Sequence, residues 1–298
     1  MFDWDDLKYF LEVSRRGRFT SAAQSLSVDH TTVSRRIDAL ERAVNAKLFD
    51  KTDRGFRLSE SGEKLLPLAE TIENAALRAQ DNIAGGSSRL SGSVRIGAPE
   101  GFGSFFLAPR LPDLVTKHTG LDIELVALPR YLSLSKREAD IGITLARPTS
   151  GRLYARKLTD YQLQLFASSN YLEEQGPISK KKKELQHHRL IGYIDDLIFA
   201  PELRYMESVA KNLTAQFRST SLTAQRQAVL AGAGIAVLPR FMTRDDKRLI
   251  PVLPDQIRLI RSLWLLIHED IHVLTRVREA ADFVTDIVRA ERNLFIDD

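Results

Sequence analysis

Residues 19–44 read Phe19-Thr20-Ser21-Ala22-Ala23-Gln24-Ser25-Leu26-Ser27-Val28-Asp29-His30-Thr31-Thr32-Val33-Ser34-Arg35-Arg36-Ile37-Asp38-Ala39-Leu40-Glu41-Arg42-Ala43-Val44, and Lys47-Leu48-Phe49-Asp50-Lys51-Thr52-Asp53-Arg54-Gly55-Phe56-Arg57-Leu58 comes soon after. Asp29 is an N-cap residue for a helix running to about Val44. At about 100° per residue, Val33, Ile37, Leu40 and Val44 share one stripe, which predicts the buried face. Thr31, Ser34, Arg35 and Asp38 fall on the opposite face, with His30 at the start. Ala22 and Ala23 are small enough for a crossing helix to approach closely, and Leu26 and Val28 bracket the intervening turn. The spacing predicts a brace helix, a tight turn and a second helix with one polar face.

A short basic hairpin follows, with Gly55 as its turn residue. Between Arg15 and Arg57 there are ten Lys and Arg against five Asp and Glu, whereas the net charge of the whole 298-residue chain is only +4. Positive charge is thus concentrated where the motif sits, as phosphate binding requires. Short hydroxyls permit close approach to base edges, and an arginine reads guanine or grips a phosphate. The expected contacts with double-stranded promoter or operator DNA are Ser21, His30, Thr31, Thr32, Ser34, Arg35 and Arg36, with Lys51 and Arg54 from the wing.

These phrases, together with Trp4-Asp5-Asp6-Leu7-Lys8-Tyr9-Phe10-Leu11-Glu12-Val13, Gly17-Arg18-Phe19-Thr20-Ser21-Ala22-Ala23 and Leu48-Phe49-Asp50-Lys51, resemble the winged helix-turn-helix of LysR-type transcriptional regulators. The resemblance runs over nearly the whole chain. Where that family commonly has Ser-Gln-Pro-Ala at the start of its reading helix, this chain has Asp29, His30, Thr31 and Thr32. The resemblance implies a long linker helix pairing two protomers, a homotetramer built from two such dimers, and a periplasmic-binding-protein-like, two-lobed α/β effector domain. The expected fold class is therefore α and α/β: a winged helix-turn-helix over 1–58, a linker helix and hinge over 59–90, and an effector domain over 91–298. Lobe I is expected over about 91–160 and 269–298, and lobe II over about 161–268.

Within the linker, Leu65, Ala69, Ile72, Ala76, Ala79 and Ile83 are spaced as a heptad seam, so a homodimer contact over 59–84 is favoured over packing within the protomer. Pro67 removes one backbone donor from that pattern. Gly85-Gly86-Ser87-Ser88 reads as a hinge. Beyond it, strands are expected at 93–98, 121–128, 140–145, 161–167, 189–193, 213–220, 234–238 and 259–268. Helices are expected at 105–118, 132–138, 171–175, 222–231 and 271–292. That alternation predicts a largely parallel sheet.

In such sheets a ligand sits beyond the strand ends, near helix N-termini. The first of these turns is Pro99-Glu100-Gly101-Phe102-Gly103-Ser104. The resemblance implies a carboxylate effector there, but Glu100 and Phe102 replace the usual hydroxyls. Glu100 either meets a cationic or hydrogen-bond-donating group or caps its own helix. The expected effector site is Pro99, Glu100, Gly101, Phe102, Ser104, Thr144, Arg147, Tyr193, Thr220, Ser221 and Thr223, with Asp195 nearby.

The chain has no cysteine, which excludes disulfides and thiolate chemistry and fits a reducing cytoplasm. No apolar run approaches the ~20 residues of a membrane span, and the acidic start does not read as an export signal. The Gly232-Ala233-Gly234-Ile235-Ala236-Val237 stretch follows a helix and lacks the third glycine of a dinucleotide fingerprint. His187-His188 and His268-Glu269-Asp270-Ile271-His272 lack a metal-ligand spacing, and Lys180–Lys183 reads as a solvated connector. No metal, cofactor or catalytic residue is expected. The alternative readings are a solute-binding protein or a regulated enzyme built on the two-lobed domain.

Overall fold

The computed structural model describes residues 2–53, 55–84, 90–128, 130, 134, 138–149, 151–176, 178, 182–210 and 213–296. The predicted hinge at 85–88, the wing residue Arg54, and most of the expected helix at 132–138 lie outside them. The chain divides into two compact units, 1–88 with 135–138 and 89–134 with 139–298.

The first unit opens with α1 (Trp4–Arg16), capped by the Asp3 carboxylate on the Asp5 amide and ended by Gly17 in the left-handed region. It continues through α2 (Phe19–Leu26) and α3 (His30–Val44). Ser27 and Asn45 close those two helices at φ of 54° and 50°. Val33, Ile37 and Leu40 are buried against Phe10, Val13 and Ala22, as the stripe predicts. Strands β1 (Phe49–Thr52) and β2 (Gly55–Leu58) form the antiparallel wing. Gly55 does more than turn the chain. A side chain there would lie 2.2 Å from the Gly17 carbonyl, which accepts the Phe56 amide at 2.8 Å. Phe19 and Phe56 stack with centroids 4.1 Å apart, so the wing is docked onto the start of α2.

Helix α4 (Glu60–Ala84) follows Ser59, whose hydroxyl accepts the Gly62 amide at 3.1 Å. Here the heptad reading is corrected in part. Ala69 is fully buried in the first unit's own core, with Leu65 and Ile72 packed against it. Arg15 clamps the helix through a two-pronged bond to Glu73 at 3.1 and 2.6 Å. Burying these side chains within the domain removes their apolar area from water. Only the later members Ala76 and Ala79 stand exposed, and the Ile83 side chain lies outside what is described.

The second unit starts with β3 (Ser91–Pro99) and a three-residue helical turn, α5 (Glu100–Phe102). A π-helical turn over Gly103–Leu107 comes next. The helix expected over 105–118 is therefore broken. Pro109 and Pro112 lack the amides a continuous helix needs, and α6 (Leu111–Lys117) begins afresh with Pro112 in its first turn. The chain continues through β4 (Gly120–Leu128), β5 (Ile141–Thr144), β6 (Leu153–Ser168), α7 (Ser169–Gln175), β7 (Leu190–Gly192), α8 (Tyr205–Val209) and β8 (Phe217–Arg218). It ends with α9 (Leu222–Leu230), β9 (Ile235–Pro239), β10 (Leu249–Val252), β11 (Leu259–His268) and α10 (Thr275–Ala290).

The strands form one nine-stranded sheet in the order β4-β3-β5-β11-β6-β9-β7-β8, with β10 also on β6. The expectation of a largely parallel sheet holds at its two ends, where β3 lies between β4 and β5 and β7 lies between β8 and β9. It fails in the middle, where every pair made by β6 and β11 is antiparallel. These two long strands carry the chain from one lobe to the other and back. Their register shifts between Leu263 and Trp264, opposite Thr159 and Lys157, so Leu158 is the extra residue of a β-bulge. Periodicity cannot reveal strand direction, and the 213–220 strand shrinks to two residues because only those pair with β7.

Candidate nucleic-acid interface and ligand cleft

Helix α3 leaves His30, Thr31, Arg35 and Asp38 exposed, with Thr32 and Ser34 half-buried beside them. Asp29 takes the extended N-cap conformation, yet its side chain accepts no hydrogen bond from the helix. The polar face lines an open trough from Thr31 through Ser34, Arg35 and Asp38 to Arg42. Arg35 has no ion pair among the described residues. Arg42 was missed at the sequence level although its spacing of seven from Arg35 places it on the same face. Its Nε donates to the Asp38 carbonyl at 3.1 Å, and the rest of its guanidinium faces outward. Ser21 is half-buried on α2, and Lys51 is exposed on β1.

Arg36 is placed differently from the expectation. Its Nη1 donates to Asp3 and Asp6, each at 3.1 Å, and Nη2 lies 3.6 Å from Asp5. The guanidinium also lies 5.6 Å from the centre of the Tyr9 ring. Three carboxylates of the N-terminal segment already occupy it, so Arg36 joins α3 to α1 and is not held ready for a phosphate. The sequence offered Asp3, Asp5 and Asp6 only as helix-starting residues, because their meeting with Arg36 is a tertiary contact.

In the second unit, the end of β3 and α5 faces the start of α9 across the cleft between the lobes. The cavity is lined by Pro99, Glu100, Gly101, Phe102, Tyr193 and Thr220 among the expected residues. Ser221 and Thr223 lie against the Glu100 carboxylate. Oε1 accepts the Ser221 hydroxyl at 2.8 Å, and Oε2 accepts the Leu222 amide at 2.7 Å and the Thr223 amide at 3.4 Å. Glu100 therefore caps a helix, but the helix belongs to the opposite lobe. Neither expected alternative named that partner, because chain separation hides it.

Three expected residues are not in this cluster. Ser104 is exposed. The Thr144 hydroxyl donates to the Ala146 carbonyl at 2.8 Å. Arg147 lies over Trp264, 5.7 Å from the ring centre. Strand-end position alone does not decide which way a side chain turns. Gly101 has a second reason to be glycine: a side chain there would meet Leu222 at 2.9 Å, so its absence admits the opposite lobe.

Sequence reasoning also missed the aromatic wall of Tyr161, Phe199, Tyr205 and Phe241. Burial first, and a hydrogen bond with Tyr205, push the Tyr161 phenol well above its ordinary range. Burial, then the neighbouring Tyr205 and the Glu100 negative charge, raise the Tyr193 phenol likewise. Both rings stay neutral at physiological pH. As it stands, the cleft encloses only about 30 Å³, room for water but not for a metabolite. A larger space of about 110 Å³ lies behind Tyr193 and Tyr205 within the second lobe and reaches Asp195, Arg204 and Arg218.

No cluster of His, Asp and Glu suited to a metal ion occurs among the described residues. The histidine pairs serve local packing: the His188 Nδ1 lies 3.2 Å from the Tyr171 hydroxyl, and His272 stacks on Tyr154. Gly234 sits at φ 154°, where a side chain would come within 2.3 Å of the Arg189 carbonyl, as a tight helix-to-strand turn demands. No helix among the described residues is long and apolar enough to cross a membrane.

Comparison with known proteins agrees with both units. The model of the bacterial regulatory helix-turn-helix protein, lysR family, matches residues 4–63, and that of the LysR substrate binding domain matches residues 87–289. The chain is 27% identical over 289 residues to the Mau operon transcriptional activator of Paracoccus denitrificans, covering 96% of each. It is 30% identical over 272 residues to the transcriptional regulator HdfR of Yersinia enterocolitica, covering 88% of this chain and 90% of the relative. Among solved structures, the full-length Vibrio cholerae virulence activator AphB superposes with a TM-score of 0.59 at 26% identity, covering 96% of this chain and 99% of that one. These matches span both units, so the solute-binding and enzyme alternatives do not stand. The chain belongs to the LysR family of DNA-binding transcriptional regulators, with an N-terminal helix-turn-helix and a two-lobed α/β substrate-binding domain.

Proposed function

We propose that this regulator reads its operator with the outer face of α3. Thr31, Ser34 and Arg35 meet base edges and nearby phosphates, Arg42 extends the same face, and Lys51 with Arg54 contacts the flanking backbone. The observation that carries this reading is α3 itself: Val33, Ile37 and Leu40 are fully buried, with Val44 half-buried, while its basic, hydroxyl-rich face is left open. Residues 1–58 form the reading domain, 59–90 the linker and 91–298 the effector domain. Two protomers pair through the exposed part of α4, where Leu68 is 62% exposed, and two dimers assemble into a tetramer in the cytoplasm. A small molecule entering the cleft between the lobes shifts the balance between assembly geometries through unequal affinity for them.

The test is a gel shift with promoter fragments at two salt concentrations. Specific retention that weakens steeply as salt rises is expected, and Lys51→Ala should flatten that dependence by a slope of about 1. Equal retention of unrelated DNA at both salts would defeat the assignment of α3 as the reader.

A further inference from the structure

Glu100 stands at the end of β3 in one lobe, and α9 starts in the other. The first turn of α9 has its amides fully assigned. Glu100 takes those of Leu222 and Thr223, the Ser221 hydroxyl takes that of Ala224 at 3.0 Å, and the Ser221 carbonyl takes that of Gln225 at 3.1 Å. The Ser221 hydroxyl hydrogen is itself spent on Glu100. A helix start is where a carboxylate is most favoured, through its unpaired amides and its positive end. Here no backbone amide of that turn is left for a molecule from outside, and the buried Thr223 hydroxyl is the one group of the turn without a partner among the described residues. Burial of Leu222 against Gly101, with the aromatic wall behind it, closes the space around this contact.

We propose that Glu100 is an intramolecular ligand that fills the carboxylate seat of α9, so that it sets the specificity of the cleft against carboxylates and holds the lobes together with no effector bound. This rests on the reading of the cleft as the regulator's small-molecule site. Glu100 thereby acts as the specificity-determining residue. The native cleft refuses small carboxylates and selects neutral or cationic molecules that donate hydrogen bonds to Glu100. Removing this one side chain recreates a seat for a free carboxylate.

The experiment is chemical rescue. Wild type and Glu100→Ala are melted in sodium acetate and in sodium chloride of equal ionic strength. The variant is expected to melt lower than wild type in chloride and to recover saturably in acetate, with acetate binding about tenfold or more tighter than to wild type. Wild type should show no preference for acetate. Acetate stabilising wild type as strongly as the variant, or chloride rescuing the variant equally, overturns the proposal. Should Glu100→Ala not fold, Glu100→Ser vacates the carboxylate's seat while keeping a small hydroxyl at that position. Acetate must then stabilise that variant more than wild type, and equal responses overturn the idea. Operator binding by the same wild-type preparation is scored separately. Its absence would count against the regulator reading, whereas the acetate result bears on Glu100 alone.

Discussion

The outer face of α3 and the N-terminus of α9 are both arrays of polar groups on a helix, yet one is open and the other is filled. On α3 the Asp29 side chain makes no cap and Arg35 has no ion pair among the described residues. On α9 a carboxylate from another lobe has been recruited to complete the first turn. The difference teaches where each array finds its partner. Polar groups that the fold can satisfy are satisfied, because a buried unpaired donor costs more than a solvated one. Those left open on α3 are on a surface where water, or a phosphate-lined groove, replaces the missing partner.

The largest test of the comparison removes the support behind the open face. Leu40 is fully buried on the inner face of α3, and Leu40→Ala should destabilise the first unit by about 2–5 kcal/mol, read as a lower denaturant midpoint and loss of operator binding. If binding survived at full stability, the rigidity of the α3 face would not be what presents Arg35.

A smaller loss is expected from a group that behaves like Glu100 but lies inside the DNA-binding unit. Glu41 is buried, and its carboxylate accepts the Leu48 amide at 2.8 Å, the Phe49 amide at 3.4 Å and the Lys47 ammonium at 2.5 Å. Glu41→Ala leaves two amides at the start of the wing without that acceptor. It should cost about 1–3 kcal/mol in chemical denaturation, and it should loosen the wing before it unfolds α3. Hydrogen exchange at Leu48 and Phe49 checks this; unchanged protection there would contradict it.

Arg35→Ala acts on the open array directly. Stability should hold, since the side chain is exposed and supports nothing, while discrimination at one base position falls by about 1–3 kcal/mol. Competition binding with single-base operator variants reads the effect. Uniform weakening across all variants would instead place Arg35 on a phosphate.

The smallest effect is confined to acid. Asp246 accepts bonds from Arg248 and from Arg226, the latter at 2.7 Å. Its carboxyl is lowered from the ordinary 3.8 to about 2, first by the Arg248 hydrogen bond. Folding thus favours the ionised form. The stabilisation is complete above pH 4 and is lost as pH falls from there towards 2. Because Arg248 is largely exposed, much of this interaction is screened by solvent. Melting of Asp246→Asn between pH 5 and 2 should fall less steeply than that of wild type, and parallel curves would show that this pair does not set the acid limit.

How much of this was legible in the sequence follows from the range of each interaction. The α3 limits, 30–44, were readable because Asp29 precedes a 3.6-residue stripe whose last member is Val44. Strand β11 was likewise readable, because Leu263–Ile267 is a continuous apolar run. The break at 103–110 was predictable in principle from Pro109 and Pro112, but the surrounding Phe105, Phe106 and Leu107 read as a helical face. The burial of Phe106 against Phe295, with ring centres 4.8 Å apart, depends on the chain's last residues returning. The heptad in α4 was real as a pattern, but its first half is absorbed by the protomer's own core.

The sequence by itself determined that an amphipathic reading helix and a basic wing precede a two-lobed α/β domain, because caps, turns and periodicity act over a few residues and need no distant partner. Only the tertiary structure decided that Arg36 is held by Asp3 and Asp6, that β6 and β11 run antiparallel through both lobes, and that Glu100 seats on α9. Those outcomes depend on groups up to 123 positions apart meeting within hydrogen-bond distance, and local pattern carries no record of such encounters.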